Sequence, residues 1–412
     1  MRNLTVDTSE DPVTSGVLFV LQLRAANEPL LPRLDIFTCQ SATEAFIPFI
    51  PSFLSRKTTR IRIEFAESPP TVMIASMITR LSILCPDLEG ITLDCLPRDP
   101  VITEAVSELL LSCDGEYLQL FCVDSPLTDA AGEVVFQLPK LSLLWVVIEG
   151  HTQIPPVALP KLVVIDLEYD DHLDWLQGFR GAILGGLEHV HFTSQSEQIG
   201  DFLGKFTSVA LTTSALATLS VFDFTTSRSW DPNYRSLLPF TQLKDLQIEF
   251  SCDDHCSSRV DDDIVMDLAQ AMPKLEILKL GNAPCRVGTG VTVKGLIALA
   301  RGCRHLSKLR IHFQASSLVE AVAGVGVPTG SDDETMVQRR DCVLTNLEVG
   351  ETPIQTDSVL MVTMTLLHIF PRLLKIIFTG KKWKDVAENI KVSQRIGSFV
   401  RRTGKVYLPC VE

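Results

Sequence analysis

Cys252, His255 and Cys256 place three possible metal ligands within five residues. A structural zinc site needs four ligands to close its tetrahedron, and no second Cys or His pair at zinc-like spacing accompanies these three. The segment therefore reads as a polar loop after a strand. Gly324-Val325-Gly326 has the glycines of a phosphate loop but not its Lys-Ser/Thr, so it reads as a flexible insertion. Neither a Gly-x-Ser-x-Gly elbow nor a His-Glu-x-x-His helix is present. His189 and His191 flank Val190 on one strand and read as an exposed pair rather than a catalytic base. The expectation is a chain without catalytic residues, cofactor or metal, which leaves binding as its chemistry.

Composition narrows the kind of binding. The 412 residues carry 37 basic and 50 acidic side chains, a net charge of −13, which disfavours a general nucleic-acid binder that must neutralise phosphates. The best candidate for a membrane span, Val359 to Phe370, is too short to span a bilayer and holds two Thr and a His. Eleven cysteines, odd in number and scattered, read as reduced thiols, so the expected location is cytoplasm, nucleus or both.

The elements that could present a binding surface are organised by a repeat. Leu31-Pro-Arg-Leu34, Cys85-Pro-Asp-Leu88, Leu138-Pro-Lys-Leu141, Leu159-Pro-Lys-Leu162, Met272-Pro-Lys-Leu275 and Phe370-Pro-Arg-Leu373 share an apolar-Pro-polar-Leu block. Further apolar residues follow the Leu at offsets three and five, as in Leu275-x-x-Leu278-x-Leu280 and Leu162-x-x-Ile165-x-Leu167. The frame without Pro recurs from Leu187, Leu216, Leu243, Leu306 and Leu344, with weaker copies at Thr58 and Leu118. In a chain 46% apolar, three such positions match by chance about one time in ten, so the evidence is the spacing. From Leu34 to Leu373 the step averages about 28 residues, within the range of leucine-rich repeats.

Alternating apolar residues make the end of each block a short strand with one buried face. Helix-start chemistry fills the return segments. Asp99-Pro100 precedes Val101 to Leu111, Asp261-Asp262-Asp263 precedes Ile264 to Met272, Ser68-Pro69-Pro70-Thr71 precedes Val72 to Ile78, and Thr356 precedes Asp357 to Phe370. Units Leu118–Leu141 and Leu141–Leu162 leave little room for a helix, and Ile154-Pro155-Pro156 suggests an extended return. Thr14 to Ala25 reads as the helix of a first unit whose strand is Met1-x-x-Leu4-x-Val6. The predicted fold is an α/β leucine-rich-repeat solenoid, a curved horseshoe with a parallel sheet on its concave face. Residues 1–380 would form about thirteen irregular repeats with a polar insertion at 323–341, and 381–412 a basic cap carrying +5.

The residue between the two strand positions, and the one after them, should face the concave surface. These are Trp145, Asp166, Glu168, His191, Phe222, Gln247, Glu249, Lys279, Arg310 and His312, with Thr193 and Ser220 beside them. Aromatic residues among charges are what protein-binding surfaces use as anchors. Asp94, Asp124, Glu168 and Glu249 lie early and Lys308, Arg310 and Lys375 late, so the expected partner is a protein with a basic surface toward the acidic stretch.

The stretch Gly290 to Ile311, with Gly302-Cys303 just before a strand, resembles the cysteine-containing repeat of F-box leucine-rich-repeat proteins, and Cys85-Pro86-Asp87-Leu88 resembles the same junction. The irregular period is similar to fungal-type members. The resemblance implies a substrate receptor of a ubiquitin ligase, joined to a Skp-type adaptor only if an F-box lies upstream of Met1. Here the repeats reach almost to Met1, so the chain reads as a truncated form or a relative without the F-box. The asparagine or cysteine ladder position of such repeats holds Asp170, Ala283 and Gln314 instead. The rival readings are a GTPase regulator resembling Ran GTPase-activating proteins, whose tail is acidic where this one is basic, and a scaffold with no ligase connection.

Overall fold

The computed structural model describes residues 2–8, 29–66, 69–149, 159–169, 179, 186–194, 202–210, 215–223, 233–250, 260–281, 290–324, 342–349, 354–355, 358–378 and 381–403. Residues 14–25, 154–156, 252–256 and 325–341, on which several sequence expectations rest, lie outside them. The chain divides into two compact units, Met1–Gln198 with Lys205–Ala215, and Ile199–Gly204 with Leu216–Glu412.

The first unit holds β1 (Asn3–Asp7), β2 (Ile36–Ala42), β3 (Arg60–Phe65), β4 (Gly90–Asp94), β5 (Leu120–Pro126), β6 (Leu143–Ile148), β7 (Val164–Tyr169) and β8 (His189–Ser194). Its helices are α1 (Ile50–Phe53), α2 (Thr71–Leu84), α3 (Pro100–Ser112) and α4 (Asp129–Val135); α5 (Phe202–Ala210) has residues in both units. The second unit holds β9 (Thr218–Asp223), β10 (Asp245–Phe250), β11 (Ile277–Leu280), β12 (Lys308–Arg310), β13 (Asn346–Val349) and β14 (Lys375–Phe378). Helices α6 (Asp262–Ala271), α7 (Val293–Gly302), α8 (Ala315–Gly324), α9 (Val359–Ile369) and α10 (Lys381–Thr403) alternate with these strands. Within each unit the strands lie in sequence order, each parallel to the next. This is an α/β leucine-rich-repeat solenoid.

The repeat frame is the packing frame. Each Leu that opens a block lies at the turn into its strand, and all thirteen positions from Leu34 to Leu373 are exposed by 1% or less. Thr58 takes one of these places without an apolar side chain. Its hydroxyl donates to the Leu34 carbonyl at 3.1 Å and accepts from the Ser55 N–H at 3.2 Å, which satisfies a polar group at full burial. The next position forms buried files across the sheet: Phe37, Ile61, Ile91, Phe121, Leu144, Ile165 and Val190 in the first unit, Leu219, Leu246, Leu278, Leu309, Leu347 and Ile376 in the second. At roughly 1.5–3 kcal/mol per large side chain, these files are the main source of stability.

The helices are set by caps, some local and some supplied by the neighbouring repeat. Asp99 and Asp261 cap α3 and α6 from their own N-termini, accepting from the Val101 and Ile264 N–H groups at 2.8 and 2.9 Å. Asp262 instead reaches the following repeat. One carboxylate oxygen accepts from the Thr292 and Gly295 N–H groups at 2.8 and 2.9 Å, and the other from the Thr292 hydroxyl at 2.6 Å, at the start of α7. Ser107 of α3 likewise accepts from the Thr128 N–H at 2.9 Å and anchors α4. That helix corrects the expectation of a helix-free return between Leu118 and Leu141: two turns fit once a neighbouring hydroxyl holds the first. The 323–341 insertion also starts later than expected, because Ala323 and Gly324 complete α8.

At the helix C-termini the junction thiols close the stack. Cys85 and Cys303 are the C-cap residues of α2 and α7. The Cys85 thiol points at the Ser55 carbonyl at 3.5 Å and the Cys303 thiol at the Met272 carbonyl at 3.6 Å, each in the preceding repeat. Burial pushes both thiols up to about 12, so they are inert small hydrophobes with a weak donor. Gly302 lets α7 approach α6: a Cβ there would lie 2.5 Å from the Ala269 carbonyl oxygen. The last helix, α10, buries Trp383, Val386 and Ile390, with the indole edge-on to Phe313 at 5.9 Å.

Leu278→Asp places an unpaired charge in the second file and should cost several kcal/mol, read as a large fall in denaturation midpoint. An unchanged midpoint would sink the assigned frame. Gly302→Ala should cost about 1–3 kcal/mol by forcing α7 off α6, measured by the same unfolding curve against Gly115→Ala, where only a Leu138 methyl must move.

Candidate functional site

Strand alternation turns every second side chain away from the helices and onto the open face of the sheet. Because the strands pair in register, residues thirty apart in sequence become lateral neighbours. In the first unit one row runs Arg62, Thr92, Cys122, Trp145, Asp166 and His191. In the second, one row runs Ser220, Gln247, Lys279, Arg310, Glu348 and Ile377, and Phe222 faces Glu249 one step along. The structure therefore aligns nine of the ten expected surface residues on the open face, in one group per unit.

His312 is the exception. It is 6% exposed, in a run with Ile311 and Phe313 that is buried throughout. The reason is that β12 ends at Arg310, so the two-residue alternation no longer applies. Ser220 also sits deeper than the frame implied, at 5% exposed.

The charges are largely spent on one another. Asp94 pairs with Arg62 at 3.2 Å and Glu168 with Arg98. Asp124 accepts from the Cys95 and Leu96 N–H groups at 2.5 and 2.9 Å, holding the turn after β4, where Cys95 takes a positive φ of 63°. In the second unit Glu249 lies 2.5 Å from Arg310 and 3.5 Å from Lys279, while Arg310 also lies 2.8 Å from Glu348. The expected division into an acidic stretch and a later basic one is therefore corrected: Asp94 and Glu168 are met by Arg62 and Arg98, and Glu249 is met by Arg310 itself.

Asp166 differs. It sits half-buried between Trp145 and His191, with no hydrogen bond or ion pair among the described residues. Burial, with Glu168 two residues on, pushes its carboxyl up to about 7. Burial moves His191 the other way, below the ordinary imidazole value, and its Nε2 lies 3.3 Å from the Thr193 hydroxyl. Neighbouring Cys122 is a thiol pushed up to about 12 by burial. Near neutral pH the row thus presents an indole, a half-ionised carboxyl and a neutral imidazole. That arrangement suits recognition; no nucleophile–base pair is assembled in it.

Among the described residues no group of three or more His, Cys, Asp or Glu could hold a metal. No helix among them is long and apolar enough to cross a membrane.

No family model matches the chain, and no curated protein does. Solved structures similar to it include a protein from Bacteroides fragilis, 11% identical with a TM-score of 0.29, covering 87% of this chain and 69% of the other. The Rad7 and Elc1 complex in yeast is similar at 14% identity and a TM-score of 0.29, over 90% of this chain and 86% of the other.

The raised Asp166 carboxyl makes a signed prediction. The folded state holds its proton over a pH range in which the unfolded chain has lost it, so folding stability falls as pH rises from about 4 to about 7. Asp166→Asn should remove this penalty. The variant should gain on the order of 1–3 kcal/mol over the parent at pH 8, after discounting for partial exposure, and nothing at pH 4. Thermal melts at the two pH values test it, and equal shifts at both would refute the assignment.

Proposed function

We propose that this chain is a non-catalytic protein-binding solenoid that serves as the substrate-recognition part of an F-box-type ubiquitin-ligase receptor. The observation that carries the binding half is the open sheet face. Short strands locked in register hold an aromatic, carboxylates, imidazoles and amides in fixed lateral order, so a binding partner meets a surface whose backbone ordering cost is already met. Solenoids use such extended faces for recognition. The ligase half rests on the Cys85-Pro86-Asp87-Leu88 and Gly302-Cys303 junctions and their resemblance to F-box leucine-rich-repeat proteins. In this reading the chain performs no chemistry; it holds a substrate while the assembled ligase transfers ubiquitin.

The deciding experiment reads the coding sequence upstream of Met1 and co-expresses the longest in-frame chain with a Skp-type adaptor. A stable complex through an N-terminal F-box is the expected outcome. Failure of the longest chain to bind the adaptor would reduce the reading to a scaffold. Acceleration of GTP hydrolysis by a small GTPase would replace it with the regulator resembling Ran GTPase-activating proteins; a receptor accelerates none.

A further inference from the structure

The open face around β6 and β7 changes character over a few ångströms. Leu143 and Val164 face each other across these strands, both half-exposed. Two residues further along the same strands, Trp145 faces Asp166, and Glu168 lies two residues beyond. Adjacent strands lie about 4.8 Å apart, and same-face residues about 6.8 Å apart along a strand. An apolar floor, an indole and a carboxyl therefore fall within the span of one long side chain. A cationic side chain with a methylene stem has this profile: it lays its stem on apolar surface, stacks on an aromatic ring and keeps its charge at the end.

We propose that this face is a cradle for one arginine or lysine of a partner protein, with the stem over Leu143, Val164 and Trp145 and the cationic head at Asp166. The proposal deepens the protein-binding reading above and rests on its open face, not on any link to a ligase. Charge complementarity selects the occupant. Glu168 is met by Arg98 and Asp94 by Arg62, whereas Asp166 has no cation within ion-pair distance among the described residues. From the facing strands come Trp145 and Cys122 on one side and His191 with Thr193 on the other, and none of these is positively charged near neutral pH. An arriving cation would ionise Asp166 fully and release its proton. Occupancy should therefore strengthen from pH 6 to pH 8, the range through which this carboxyl titrates.

The test uses the full chain and an array of immobilised peptides varied in charge and apolar content. The expected selection is peptides with Arg or Lys beside an apolar residue. Replacing that Arg by citrulline, which keeps the shape and removes the charge, should weaken binding at least tenfold. Trp145→Ala and Asp166→Asn should each weaken it at least tenfold at pH 8, and Asp166→Asn should abolish the gain between pH 6 and 8. Trp145→Leu keeps an apolar side chain without the π face and should also weaken binding, which separates recognition from folding. Glu108→Gln, exposed on α3, is the control and should change nothing. Selection of acidic or uncharged peptides, or basic peptides indifferent to Trp145→Ala and Asp166→Asn, would overturn the cradle while leaving the open face as a binding surface. Absence of any bound peptide would overturn the cradle as well. The ligase reading stands or falls separately, on adaptor binding.

Discussion

The parallel pairing of short strands in register is the constraint from which the rest of this molecule follows. A strand of three to seven residues cannot satisfy its own backbone groups, and one apolar face of two or three side chains cannot stay dry alone. Each strand therefore depends on its neighbours for both hydrogen bonds and burial. The buried residue at each turn, a Leu at every position from Leu34 to Leu373 except Thr58, fixes where its strand begins. Once that point is fixed, the order of side chains on the open face is fixed too, including the placing of Trp145 beside Asp166. Binding chemistry here is a by-product of core packing carried through to the other side of the sheet.

The helices add a second layer of coupling in the same direction. Asp262 caps the helix of the following repeat, Ser107 does the same for α4, and the Cys85 and Cys303 thiols point at carbonyls of the preceding repeat. These contacts explain why irregular spacing is tolerated. A return segment of any length serves, provided its ends find the neighbour's cap donor and acceptor.

Much of this was legible in the chain. The Leu positions, the strands and the caps at Asp99 and Asp261 follow from local pattern, because each depends on residues a few places apart. What was not legible depends on residues about one repeat apart. Arg62 and Asp94, 32 residues apart, meet only through the register between β3 and β4, so the surface charge read as unopposed is mostly neutralised. The cap that Asp262 makes on α7 was hidden for the same reason, since in sequence it reads only as an acid at the start of α6. Charges at equivalent offsets in successive repeats were the available signal. His312 failed for the opposite reason: alternation was extended one step past the end of a strand only three residues long.

The fixed spacing of the open face also acts as a vernier. Side chains there recur about every 4.8 Å across strands, while an extended partner chain laid across them presents one every 6.8 Å or so. The two spacings come back into phase only after roughly seven strands and five partner side chains. Between those coincidences a partner's residues fall over gaps between strands as often as over side chains. A ligand crossing this sheet is therefore read at a few sparse positions, and shifting it by one residue moves every contact out of phase at once.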